Sequence, residues 1–178
     1  IVDQLNLGVS VTLATGSGGT QAGDITINSA INKTSGSAAV LTLNADNNIV
    51  INADISSSSN ALGLTLNSNY RDASTGDHTV NINGATIKLN GGILNASEGS
   101  QGSGNGNIAI NDGAKIDLDT GGTLNAGNVN VSAGGTLTGG YTSSVLLQGT
   151  LTNRGAVTLS NAMISAASQI LNYGQFST

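Results

Sequence analysis

The stretch VLTLNADNNIVINADI (40–55) sets two short apolar pairs, Leu41/Leu43 and Ile49/Ile51, eight residues apart with an Asn/Asp cluster between them. Apolar residues two apart share one face of a β-strand, and the residue between them faces the other way. Here Thr42 takes the wet side, whereas Val50 marks an outward apolar spot. The same grammar recurs along the chain at Ile25/Ile27, Leu64/Leu66, Val80/Ile82, Ile87/Leu89, Ile108/Ile110, Ile116/Leu118, Val129/Val131 and Val157/Leu159. Each pair reads as a short strand with one buried face, and helical periodicity is weak throughout. Leu146 is a second outward apolar spot. Between the pairs stand Asn83-Gly84, Asn90-Gly91, Asp112-Gly113 and Gly121-Gly122, residues that tolerate the positive φ of tight turns.

Asn-Gly between strands is also a hairpin signal, which keeps antiparallel sandwiches in view. The repeat favours a solenoid. Leu43, Leu66, Leu89, Ile110, Val131, Leu151 and Leu171 follow one another at 23, 23, 21, 21, 20 and 20 residues, the period of one coil. A second column is expected at Ile51, Leu118 and Leu159. The fold class expected is all-β, a right-handed parallel β-helix of 20–23 residues per coil, with aliphatic ladders inside. The segments 67–78 and 96–107 are expected to be loops bulging from a single segment spanning 1–178.

Composition agrees. There are 26 Gly and no Pro, Cys or Trp, with 2% aromatic and 8% charged residues. So few large side chains exclude a core built on aromatic anchors, and Pro would remove a donor from every central strand it entered. Net charge is −5 with only five Lys and Arg, so no basic field exists to draw in nucleic acid. No run of about 18 apolar residues occurs, so no membrane-spanning helix is expected. Without Cys, hydrogen-bond ladders must take the place of disulfides in an extracellular setting. A chain opening on Ile1 reads as a processed or excised fragment whose targeting segment has been removed.

The segments GDITINSAI (23–31), VLTLNADNNIVINADI (40–55) and GTLTNRGAVTLSNAMISAASQILNYGQFS (149–177) resemble the filamentous-haemagglutinin type exoproteins of two-partner secretion. The likeness covers most of the chain in style and rests on degenerate repeats. It implies a large bacterial protein exported by a dedicated outer-membrane secretion partner, folded as a right-handed β-helix, and serving at the cell surface as adhesin, haemolysin or toxin stalk. The family's secretion domain carries Asn-Pro-Asn motifs. A chain without Pro has none, which puts it outside that domain or in its Pro-free part.

Candidate chemistry is sparse. His78 is the one histidine, beside Asp77 and near Arg71 and Asp72, a grouping that suits a general acid or base but lacks a nucleophile; a solvated loop is expected there. Asp112, Asp117 and Asp119 suggest the clustered carboxylates of calcium-dependent β-helical lyases. Asp117 and Asp119 would point outward together, and calcium would need six to eight oxygen ligands from neighbouring coils. EGSQGSGNGN (98–107) has alternating Gly without a phosphate-loop ending. Sequons place possible glycosylation at Asn32, Asn95 and Asn130, the last accessible between inward Val129 and Val131. No catalytic, cofactor or metal site is assigned. The function expected is a structural or adhesive segment whose Thr, Ser and Asn surface meets a host glycan or protein receptor. Alternatives are a carbohydrate-active enzyme, marked by carboxylates of adjacent coils converging in a groove, an inert stalk, or an ice-binding surface marked by flat rows of outward Thr.

Overall fold

Alternating short strands separated by corners build a coil when every strand finds its partner one turn away. The computed structural model, which describes residues 1–16, 23–71 and 78–178, shows this arrangement in seven coils spanning 11–33, 39–57, 62–88, 93–117, 123–139, 144–159 and 163–177. We call these coils 1 to 7. Each contributes one strand to each of three sheets, faces A, B and C in chain order, and the strands within each face pair in parallel with those of the coils above and below. The molecule is a parallel β-helix.

The core is a stack of aliphatic ladders. Face A lines up Leu41, Leu64, Leu94, Leu124 and Val145, face B Ile49, Val80, Ile108, Val129 and Leu151, and face C Ile55, Ile87, Ile116, Leu137 and Val157. All fifteen are at most 1% exposed. Burying each such side chain contributes about 1.5–3 kcal/mol, and coils about 4.8 Å apart put like side chains in direct contact.

The coils are less regular than their sequence period. On face A, steps from Val11 through Leu41, Leu64, Leu94, Leu124 and Val145 to Ile164 are 30, 23, 30, 30, 21 and 19 residues. The long steps are those with eight to ten residues between the face A strand and the face B strand, in coils 1, 3 and 4. The expected column of inward leucines is therefore corrected. Leu43–Leu66 and Ile110–Val131 are true neighbours. Leu66 stacks on Ala96, Leu151 on Val129, and Leu171 lies beside outward Thr152, while Leu89 follows a face C strand. Nor do Ile51, Leu118 and Leu159 form one column. Ile51 is on face B, and the other two are at the end of face C.

The expected loops are also shorter than their bounds. Residues 67–68 end the strand Leu62–Ser68, and 96–98 end Ile93–Glu98. Within 96–107 the chain turns back through Gly99, Gln101 and Gly102, all at positive φ, so that Ser97 and Glu98 pair antiparallel with Asn105 and Gly104. Paired backbone there orders part of the loop expected at 96–107.

The two ends differ. A helix Val2–Asn6 lies over coil 1 with Leu5 fully buried, and Asn6 Oδ1 accepts hydrogen bonds from the N–H groups of Thr34 (2.8 Å) and Ser35 (3.2 Å). Just above it, Lys33 is fully buried. Its Nζ donates to the carbonyls of Ser35, Gly36 and Ser59 at 2.8, 3.2 and 2.5 Å, which satisfies all three ammonium donors. At the other end, coil 7 turns Ile164, Ile170 and Phe176 toward the core, and Ile170 is 42% exposed.

Candidate functional site

Each candidate has a place in the stack. His78 precedes the face B strand of coil 3 and is 3% exposed, which corrects the solvated loop expected there. Its Nδ1 is 3.4 Å from Glu98 Oε1, carried by the next coil. The cause is the A–B excursion of coil 4, tied down by Gly99 N–H to Ser68 carbonyl and Gln101 N–H to Tyr70 carbonyl. Arg71 pairs with Asp46 and donates to the Thr15 carbonyl at 2.8 Å, binding coil 3 to coils 1 and 2. Asp72 and Asp77 lie outside the described residues.

Asp117 and Asp119 do meet on face C, facing two lysines. Lys88 Nζ is 2.7 Å from Asp119 and 3.6 Å from Asp117, and Lys115 Nζ is 2.9 Å from Asp117. Burial pushes the Asp117 carboxyl up. The Lys115 hydrogen bond, the Asp119 N–H and the charges of Lys115 and Lys88 outweigh that and hold it below the ordinary range. Lys88 is raised, first by its hydrogen bond to Asp119. Two ammoniums thus stand where a calcium ion's charge would be needed. Asp112 sits at the opposite, B–C corner. Among the described residues, no three His, Cys, Asp or Glu side chains are grouped to hold a metal ion.

The sequons differ in access. Asn32 and Asn130 are exposed, Asn130 as its alternation requires. Asn95 is half-buried in face A, its Oδ1 accepting from Asn125 Nδ2 at 2.7 Å.

Face B carries a hydrogen-bonding surface across coils 3 to 6. Outward residues there run Asn81, Ala109, Asn130 and Thr152 across coils 3 to 6, beside Thr79, Asn107, Asn128 and Thr150. Because Ala109 ends at Cβ between two amides, the column has a hollow of about 490 Å³. Its rim is pre-ordered. Asn128 Nδ2 donates to Asn107 Oδ1 at 2.8 Å, and Thr150 N–H donates to Asn128 Oδ1 at 2.8 Å. Every side chain lining the hollow is neutral. Face A carries a second, more apolar groove where Gly63 leaves a gap between Val40 and Ile93, both exposed. The outward row Thr12, Thr42, Thr65 continues there as Asn95, Asn125 and Leu146, so the threonine row an ice-binding surface needs ends after three coils.

All ten Asp and Glu side chains precede residue 120, and Arg154 is the one charged side chain in 120–178. A running count of charge was the signal that would have found it. Comparison with protein-family models, curated proteins and solved structures gives no match.

Proposed function

We propose that this β-helix is an adhesive segment of a secreted bacterial surface protein, exported by an outer-membrane partner of its parent, and that face B is the surface it presents to a host glycan or protein receptor. The observation that carries this reading is the neutral hollow at Ala109, rimmed by amides and hydroxyls already held in register by the stack. Pre-ordered donors and acceptors lose little conformational entropy on binding, and a rigid rod lets weak contacts sum along its length. The export route and surface location come from the resemblance of the repeats. The carbohydrate-active alternative would need positioned acid and base groups, and the carboxylates of face C are engaged by Lys88 and Lys115.

The test is a binding screen of purified protein against glycans and host proteins, repeated with Ala109→Tyr. Ala109 points outward, so the substitution fills the hollow without entering the core. Binding that is lost in a variant with an unchanged circular dichroism spectrum supports the reading. No binding by the wild type, or equal binding by the variant, removes it. Polysaccharide turnover that vanishes on substituting Asp117, Asp119 or His78 would instead establish the enzyme.

A further inference from the structure

Four of the five cationic side chains are spoken for. Lys33 is enclosed by carbonyls, Arg71 faces Asp46, and Lys88 and Lys115 share Asp117 and Asp119. Arg154 differs. It is exposed at the B–C corner of coil 6, its guanidinium carbon lies 5.4 Å from the centroid of the Tyr173 ring in coil 7, and its Nη1 makes a long 3.5 Å contact with Asn130 Oδ1. Among the described residues no carboxylate lies within ion-pair distance of it, and none occurs anywhere in 120–178.

A guanidinium offers five donors in a fixed fork, and stacking on an aromatic face holds that fork in place while leaving its edge open. Beside Arg154 runs a trough of about 360 Å³ whose floor is Gly134, Gly135, Gly155 and Gly174. Packing keeps that floor bare. A Cβ on Gly155 would run into the carbonyls of Gly135 and Ser132, and one on Gly174 into the carbonyl of Gly155.

We propose that Arg154, held over Tyr173, is an anion-binding site for the carboxylate of an acidic saccharide, a uronate-type sugar whose remaining ring lies along the glycine-floored trough toward Thr136 and Gln175, where face C begins. This rests on the proposed receptor role, carries the receptor surface from face B round the B–C corner, and names the ligand class it would take. A single fork matches a planar, singly charged carboxylate. Along this corner the Asp112 carboxylate of coil 4 packs against Gly134 at the far end of the trough, so the anion approaches from the coil 7 side. At a distance of about two coil spacings, close to 10 Å, that repulsion is only partly screened at physiological salt.

The experiment titrates hyaluronan oligosaccharides, which carry one glucuronate carboxylate per disaccharide, and the same oligosaccharides as methyl esters, against the full chain at low ionic strength. The wild type is expected to bind the acid about tenfold more tightly than the ester, the scale of one charge-assisted hydrogen-bond pair. Arg154→Gln removes that preference and leaves ester binding unchanged. Tyr173→Phe keeps the preference and Tyr173→Leu weakens it, whereas Asp112→Asn strengthens binding of the acid alone. A merely structural staple between coils would move none of these ratios. An acid-to-ester ratio unchanged in Arg154→Gln overturns the proposal, as does a wild type that binds neither probe. The face B reading is judged separately, by whether Ala109→Tyr abolishes binding in the wider screen.

Discussion

Ile110 and Asp117 belong to the same coil and show how sharply the inside of this stack differs from its surface. Ile110 is fully buried between Ile82 and Val131, whereas Asp117 is outward and half-buried beside two lysines. Ile110→Asp buries a charge in an aliphatic ladder with no partner, and a loss of about 3–5 kcal/mol is expected in urea denaturation. Asp117→Asn leaves Lys88 its contact with Asp119 and should cost about 1 kcal/mol or less, as surface ion pairs do. Equal losses would mean that the inward and outward assignments are interchanged. The Asp117 pair also has a pH signature. A carboxyl whose pKa is lowered in the native state stabilises the fold above its unfolded value near 3.9, and that contribution is lost as pH falls through the lowered value. The stability difference between wild type and Asp117→Asn is therefore expected to be flat from about pH 5 to 9 and to shrink below about pH 4. A difference that grew in acid would show that the lysines do not hold this carboxylate.

Corners carry an order of their own that alternation does not announce. At the B–C corner Asn52 donates to Asn28, Asn83 to Asn52 and Asn111 to Asn83, each Nδ2 to Oδ1 at 2.7–2.9 Å. Such asparagine ladders need only one Asn at the same place in successive coils, and here it is the residue after the face B strand in coils 1 to 4. Asn83→Ala breaks two bonds in the middle of the ladder and Asn28→Ala one at its end. With about 1 kcal/mol per hydrogen bond, the first should cost roughly twice the second in thermal or chemical unfolding. Equal costs would show that solvent replaces these bonds without loss. Strand existence was legible in the sequence because Leu41/Leu43 or Ile108/Ile110 can satisfy a two-residue period in only one way. The register was not, since an apolar pair every eight residues or so does not say which of three faces it serves. The eight to ten residues between the face A and face B strands of coils 3 and 4 also shift the count. Leu89 was misplaced for that reason. His78 was misjudged for a related one, because its burial depends on a neighbouring coil's excursion. The face B hollow was half legible. Asn130 reads as outward from its neighbours, but that Ala109 sits between Asn81 and Asn130 follows only from the pairing.

As a whole the molecule is a one-dimensional stack, each coil resting on its neighbours, so its stability is close to a sum of coil terms and nearest-neighbour contacts. The two ends then decide where it opens. Leu5 and the Asn6 cap close the coil 1 end, while the coil 7 end leaves Ile170 42% exposed and presents three strand edges with no charged residue after Arg154. The inward residues of coil 7 are less buried than those of coils 2 to 5. Local opening needs the least free energy where buried apolar contact is smallest. Amide hydrogen exchange in this 178-residue chain is accordingly expected to be fastest in the strands Met163–Ala166, Ile170–Asn172 and Gln175–Ser177, slower in coil 6, and slowest in the interior coils. The helix Val2–Asn6 should protect coil 1 beyond what its position at the end of the stack would give, so that coil 1 exchanges more slowly than coil 7. Uniform protection along the rod would show that the stack opens only as one cooperative unit. A coil 1 that exchanged as fast as coil 7 would show that the helix does not act as a cap.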